Sequence, residues 1–567
     1  MKTTIKDVFL ESGYSIPNYQ RDYAWKEQNF KDLWEDLEEA MEYNQEGQGH
    51  FIGTMVVSKN EDNKNLYDII DGQQRTTTIF MLLHVLASKQ NEEAKQATKT
   101  KFLNQKGGKL KLEISLENQD FFKTILEAAE KGSISHCEKD ADTEGKQNLF
   151  EVLKAILDKV SELSEEGVNE RLEVLLEMVL MRFEEPDPGR AIRTFQSVND
   201  RGVPLLLLDK LKSLLIYYSN TFCDGKRGLD QFINDHFGEI FKIFAKIKKS
   251  DHISSVGGFD EGDIFRYHAG SQRFDGIEFL GHYKTSTDNT YKKLKAELKE
   301  IKKSKLESFI QSYVSDLKNF YQAFLDLLSE IDTNPTTLKV MLINKINPRF
   351  FNSLIRLKIN NELDDETLKL FAKTDIVLFK STRYMNSAAY NLINAYLKKG
   401  KEGLKSEMIA QCRNDIGLAS LKLVNNAFNL SCFHYVFFEK NCQEMGLADL
   451  KKLIPGKQFS QEKEHIIPIN LLKLDNEIEI QKLGFEDKKD LENYIDTYGN
   501  LISLEKPLNS KASDKDLYGK DEIYKSSEIP FNRCFNAKDF NKKALITRND
   551  EMREWLINTF FRDFAAH

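Results

Sequence analysis

The chain has 567 residues, 40% hydrophobic and 30% charged, a balance typical of globular proteins that bury enough apolar surface to offset chain entropy. That length exceeds one ordinary core and predicts two to four domains, while a net charge of −8 argues against a nonspecific polycationic coat for nucleic acid and leaves room for a local basic surface. The 6 cysteines form no CxxC pair, which argues against a zinc ribbon or a disulfide framework; no run of about 18 apolar residues offers a membrane span and the start, MKTTIKDVFLESGYS, has no signal-peptide core, so a cytoplasmic protein is expected.

Residues 1–225 mix strand and helix signals. HFIGTMVVS (50–58) is apolar and β-branched and predicts a strand. LYDIIDGQQRTTTIFMLLHVLAS (66–88) predicts a short strand, a polar turn and an apolar helix. A third strand is expected around 174–183, leading through Pro186, Pro188 and Gly189 into a helix that ends near FQSVNDRG. Such alternation predicts an α/β or α+β domain.

From 226 to 445 the pattern is helical, and 10 prolines and 29 glycines over the whole length leave room for it. Residues 292–331 place apolar side chains at i, i+3, i+4 and i+7 with lysines between, the mark of an amphipathic helix pair with a solvated basic face. Residues 387–400 predict another helix. Between Thr337 and Asn360 stand Lys339, Lys345, Arg349, Arg356 and Lys358 with no acidic residue; this stretch reads either as a local nucleic-acid surface or as a helix with one basic face. Pro455 and Gly456 then mark a boundary, giving three expected domains, 1–225, 226–445 and 446–567, in a mainly α chain with α+β modules.

The densest chemistry lies in the last of these. EKEHIIPIN (462–470) predicts a short apolar strand carrying Glu464 and His465, and YGNLISLEKPLNSKAS (498–513) follows with Asn500 and Asn509. Histidine, with an ordinary pKa of about 6.5, suits a general base at neutral pH, and oxygen donors such as Glu and Asn suit Mg²⁺. Phosphodiester hydrolysis needs both kinds of group. The plainer alternative is a histidine on a buried strand with two capping asparagines.

Two further strings stand near the start, IPNYQRDYAW (16–25) and DGQQRTTTIF (71–80). Gly72 permits a tight turn, and Gln73, Gln74, Arg75, Thr76 and Thr77 open a helix, so backbone N–H groups, hydroxyls and a guanidinium form an anion pocket without the P-loop pattern. The alternative is a capped helix with an exposed arginine. Tyr23 and Trp25 either stack on a base or anchor an N-terminal arm.

These motifs, in this order, resemble GmrSD-type and SspE-like modification-dependent restriction enzymes. The C-terminal segment is similar to the HNH, or ββα-metal, nucleases. The resemblance implies His465 as general base, Glu464 and Asn509 as ligands of Mg²⁺ or Mn²⁺, Asn500 as support of the histidine loop, and Lys511 as a phosphate contact. Between His465 and Asn500 the spacing is longer than in compact motifs of that family. The N-terminal domain resembles a ParB/sulfiredoxin-like fold whose DGQQR turn binds and hydrolyses a nucleoside triphosphate. Carried over, Asp71, Gly72, Gln73, Gln74, Arg75 and Thr76 form that site with Gln20 and Arg21, and Asn199, Asp200, Arg201 and Gly202, with Pro204 beyond, match the third motif.

The function this implies is a nucleotide-regulated, metal-dependent DNA endonuclease of antiphage defence acting on modified phage DNA, with a homo-oligomeric or companion partner open. The alternative is a nucleotide-gated DNA clamp whose HNH-like segment is structural; an RNA target is a third reading.

Overall fold

The computed structural model describes residues 2–17, 20, 22–43, 50–60, 63, 65–185, 207–223, 227–272, 286–381, 387–455, 459–473, 477–513 and 515–565. Two compact units emerge from its contacts, Met1–Ala245 with Lys293–Lys318, and Lys246–Lys292 with Asn319–His567. The helical stretch between the terminal regions contributes to both.

In the first unit six strands form one mixed sheet: β1 (Lys2–Thr4), β2 (Gly13–Ser15), β3 (Phe51–Lys59), β4 (Leu66–Asp71), β5 (Leu112–Glu113) and β6 (Val179–Glu184), in the spatial order β1-β6-β3-β4-β2-β5. β3 pairs antiparallel with β4 and parallel with β6, and β2 runs parallel to both β4 and β5. Parallel neighbours need long crossovers; helices α1 (Glu27–Tyr43), α2 (Gln73–Ser88), α3 (Glu144–Ser161) and α4 (Glu165–Glu177) lie in them or beside them. α2 is apolar on every side and every residue from Ile79 to Ala87 is buried, as such a helix must be. Its one histidine, His84, is accommodated by Glu130, 3.0 Å from Nε2.

The strands expected at 50–58 and 66–71 and the helix after Gly72 are present. The strand expected at 174–183 is shorter: α4 runs to Glu177 and β6 starts at Val179. Ser164 caps α4 by accepting from Gly167 N–H, and Val168, Leu172 and Leu175 bury at helical spacing, which holds residues 174–177 in the helix. The lysine-rich stretch resolves as the expected pair, Thr287–Glu300 and Lys303–Glu330, with Leu294, Leu298, Ile310 and Leu317 buried.

Among its described residues the second unit is helical apart from one hairpin. The stretch after Thr337 does not form one basic helical face. It breaks into Pro335–Leu338, a π turn Lys339–Ile343, a 3-10 turn Pro348–Phe350 and Phe351–Ile359. Partners distant in sequence draw three of its cations in, while Lys345 stays exposed: Lys339 meets Glu439 at 3.2 Å, Lys358 meets Glu330, and buried Arg356 donates to Ser271 Oγ at 3.1 Å. The helix expected at 387–400 is Ala388–Cys412, interrupted at Gly400.

The hairpin pairs β7 (Gln461–His465) with β8 (Leu501–Glu505) antiparallel, Glu464 opposite Ile502 and His465 opposite Leu501. Helix α5 (Lys506–Ala512) follows directly, then α6 (Leu517–Tyr524) and α7 (Lys542–Trp555). β7 stops earlier than 462–470 suggested, because the chain turns through Pro468 into the 3-10 turn Ile469–Leu472.

Candidate functional site

Side chains alternate across β7. Glu462 and Glu464 meet the helices: Asn509 of α5 donates Nδ2–H to Glu462 Oε2 at 2.7 Å, and Lys520 and Tyr524 of α6 both reach Glu464 Oε1, at 2.5 and 3.0 Å. Lys463 and His465 meet a different group. Lys463 donates to the carbonyls of Phe428 and Leu430. The His465 ring packs 4.7 Å from that of Phe428, and its Nε2 lies 3.1 Å from Asp496 Oδ1. A carboxylate only accepts, so Nε2 carries the proton and Nδ1 keeps a lone pair. Burial pulls the imidazole below its ordinary pKa, and Asp496 opposes that pull. The neutral form is therefore the resting one at neutral pH.

Asn500 is fully buried, and its amide ties the segment after His465 to the entrance of β8. Its Oδ1 accepts from Ile467 N–H at 2.8 Å, and its Nδ2 donates to the carbonyls of Ile467 at 3.1 Å and Ile495 at 3.0 Å. Gly499 makes this possible by closeness: its N–H donates to Asn549 Oδ1 of α7 at 2.6 Å, and a Cβ there would stand 2.3 Å from the carbonyl oxygen of Leu545. Any larger residue would push the hairpin off α7.

Of the residues expected at this centre, Glu464, His465 and Asn500 are thus held together on one hairpin. Asn509 hydrogen-bonds Glu462 rather than Glu464, and Lys511 is exposed and makes no ion pair among the described residues. Asp496, Lys520 and Tyr524 went unnoticed in the sequence. Lys520 and Tyr524, four apart on α6, share a helix face, a spacing that means something only once Glu464 is known to lie opposite. Burial pushes the Glu464 carboxyl above its usual range, and Lys520 draws it back down.

Among the described residues no three His, Cys, Asp or Glu side chains converge as a metal cluster. A hard cation that keeps most of its waters needs fewer protein donors. Two oxygens suit it: Asn509 Oδ1 is buried without a hydrogen-bond partner, and Glu464 Oε2 receives neither of the two donors that fall on Oε1.

In the first unit, Gly72 takes φ +89°, the left-handed conformation glycine favours, and a Cβ on it would stand 3.0 Å from the Thr54 carbonyl oxygen. Glycine brings no side-chain cap, so the first-turn N–H groups of α2 are left uncapped by it. Arg75 lies beside that turn, donating to Thr54 O at 3.2 Å. Thr76 Oγ donates back to Gly72 O at 2.9 Å.

The three glutamines divide their work. Gln74 brackets the N-terminal arm, accepting from Ala24 N–H at 2.7 Å and donating to Asp22 O at 3.1 Å. Gln20 donates to Ile70 O at 2.9 Å. Gln73 Oε1 is buried with no partner, as is Gln20 Oε1. Gln73 lines a recess of about 20 Å³ with Asp22, Gln74, Thr77, Ser115 and Asn118, room for about one water molecule and far below the roughly 300–1,000 Å³ of whole-ligand pockets. Asp71 ends β4 at the same turn. Tyr23 and Trp25 anchor the arm: Tyr23 is buried with its hydroxyl 2.6 Å from Thr78 Oγ1, and Trp25 packs on the core. Tyr19, Arg21, Asn199, Asp200, Arg201, Gly202 and Pro204 lie outside the described residues.

Comparison with known families places both regions. The model of the GmrSD restriction endonuclease N-terminal domain matches residues 5–216, and that of the GmrSD restriction endonucleases' C-terminal domain matches residues 411–555. The matches span more than half of the chain, which belongs to the GmrSD restriction endonucleases. It is therefore a nuclease of the restriction class, with DNA as its partner. No curated protein matches the chain. Among the described residues no helix is long and apolar enough to cross a membrane.

Proposed function

We propose that this restriction endonuclease cuts DNA at an HNH-type centre on β7, β8 and α5, with His465 as general base, and that a nucleoside triphosphate at the DGQQR turn of a ParB-like N-terminal unit regulates cleavage. The observation that carries the first part is the His465 ring, neutral, oriented by Asp496 through Nε2 and keeping the Nδ1 lone pair. That nitrogen takes a proton from water as its oxygen bonds to phosphorus and the P–O3′ bond breaks; the leaving oxygen then takes up a proton from solvent. Glu464 and Asn509 would hold Mg²⁺ or Mn²⁺, which when bound neutralises charge on the phosphate and the leaving oxygen. Asn500 keeps His465 in position and Lys511 touches the phosphate.

The nucleotide reading rests on the uncapped first turn of α2, the Arg75 guanidinium and the unpartnered amide oxygen of Gln73. The phosphates lie on the turn with Asp71, Gly72 and Thr76, while Gln74 holds the N-terminal arm and Gln20 the end of β4. Modified phage DNA is the proposed substrate in antiphage defence. Nucleotide controls cutting only through a difference in affinity between the two states of the enzyme.

The deciding experiment is cleavage of plasmid and of modified phage DNA with Mg²⁺ or Mn²⁺, with and without each nucleotide. Cleavage that needs neither metal nor His465 would overturn the proposed centre. A nucleotide-gated DNA clamp is the second reading, favoured by the ion pair that occupies Glu464; nucleotide-dependent DNA retention without cutting would select it.

Two expectations follow for single residues. Because burial lowers the His465 pKa, the acidic limb of the pH–rate profile lies below about 6.5. Asp496→Asn removes a group that raises it, so that limb moves lower still; a limb shifted upward would separate Asp496 from the base. Arg75→Ala weakens nucleotide binding by about 1.5–3 kcal/mol, roughly 10- to 150-fold in Kd, and unchanged titration calorimetry would put the phosphates elsewhere.

A further inference from the structure

We infer that Lys520, assisted by Tyr524, is the positioning residue of the nuclease centre: it turns Glu464 so that one carboxylate oxygen is held by the protein and the other is offered to the cation. This rests on the metal centre proposed above and goes beyond it, since neither residue belongs to the acid-histidine strand or to the asparagine helix.

The geometry is specific. Lys520 is fully buried, and its ammonium donates at once to Glu464 Oε1 at 2.5 Å and to the backbone carbonyl of His465 at 2.5 Å. One cation thereby grips both members of the acid-histidine pair, the first by its side chain and the second by its backbone. Tyr524, also fully buried, donates its hydroxyl to the same Oε1 at 3.0 Å. Two donors on one oxygen leave Oε2 without either of them. Carboxylates that ligate metals are commonly fixed by such outer hydrogen bonds, and loss of the outer partner costs about 10- to 100-fold in affinity or activity. Burying a lysine is costly unless it is paired and hydrogen-bonded. A surface lysine would serve a merely solvated helix face as well, so burial of this one on α6 has its counterpart in the carboxylate it orients.

The test uses the full chain and Mn²⁺ as the probe, read by electron paramagnetic resonance without DNA, together with single-turnover cleavage. Lys520→Met is expected to weaken Mn²⁺ binding about 10- to 100-fold and to lower the saturating single-turnover rate by a similar factor, leaving the half-saturating DNA concentration within about twofold. A lysine that only supports the fold would lower the melting temperature and leave the Mn²⁺ affinity of the folded protein alone. That result overturns the inference. Because Lys520→Met leaves Glu464 buried without its counter-charge, Tyr524→Phe is the second variant: it keeps the ion pair, and Mn²⁺ binding is expected to weaken severalfold with folding intact. Wild-type affinity in folded Tyr524→Phe overturns the role of the paired donors. Failure of the metal centre itself reads differently, as wild-type protein that binds no Mn²⁺, and it takes this assignment down with it.

Discussion

Replacing His465 with alanine is expected to lower single-turnover DNA cleavage by about 10²- to 10⁴-fold, the usual contribution of a positioned general base, with folding and nucleotide binding preserved. The fold should tolerate the change because the His465 side chain makes one hydrogen bond, to half-exposed Asp496, and packs beside Phe428. The anchoring of β7 lies elsewhere: its backbone pairs with β8, and Lys520 holds the His465 carbonyl rather than the ring. Circular dichroism and nucleotide titration should match wild type while cleavage falls. Cleavage within a few-fold of wild type, in protein free of contaminating nuclease, would remove His465 from the mechanism.

The largest structural effect is expected at Asn500. Its buried amide makes three hydrogen bonds to the backbone of Ile467 and Ile495. Asn500→Ala strips all three at a site water does not reach, and each orphaned buried group costs roughly 1–3 kcal/mol before relaxation; a net loss of about 3 kcal/mol in the hairpin is expected. Asn500→Asp, nearly the same shape, keeps the acceptor, loses both donors and adds a buried charge, so it should fare no better. Since the chain has two units, a single melting curve is a poor readout. Amide hydrogen exchange across β7 and β8 is the measurement to make, and unchanged protection of Ile466 and Ile467 in Asn500→Ala would contradict the assigned role. Cleavage should fall with protection, because the chain that leaves His465 would no longer be tied to β8.

Much of this was legible beforehand. The strand, glycine and helix of residues 66–88 follow from local rules, a short apolar run, a φ-positive turn and a stretch apolar enough to bury on every side. The lysine-rich helix pair follows from its period. The motif order also pointed to the GmrSD restriction endonucleases, and the family models match both ends of that pattern. The strand expected from Val174 was displaced because α4 claims its residues through a cap ten positions earlier, at Ser164.

What depended on distant residues was not legible. The basic stretch after Thr337 read either as a nucleic-acid surface or as one basic helix face because the partners of three of its cations, Glu439, Glu330 and Ser271, lie far from it along the chain. The partnerships of Gln20 and Gln74 with backbone some fifty residues away likewise appear only when the arm docks.

From the sequence by itself came the residues that can do chemistry and the local elements that carry them, because helix period, turn chemistry and side-chain type act over a few positions. Only the tertiary structure decided which atoms of those residues are spent and which remain available. His465 is given a direction by Asp496 and Glu464 by Lys520, each partner arriving from another segment through packing. A hydrogen bond needs its partner within about 3 Å, and for these side chains that closeness is set by the pairing of β7 with β8 and the docking of α6, which no local pattern records.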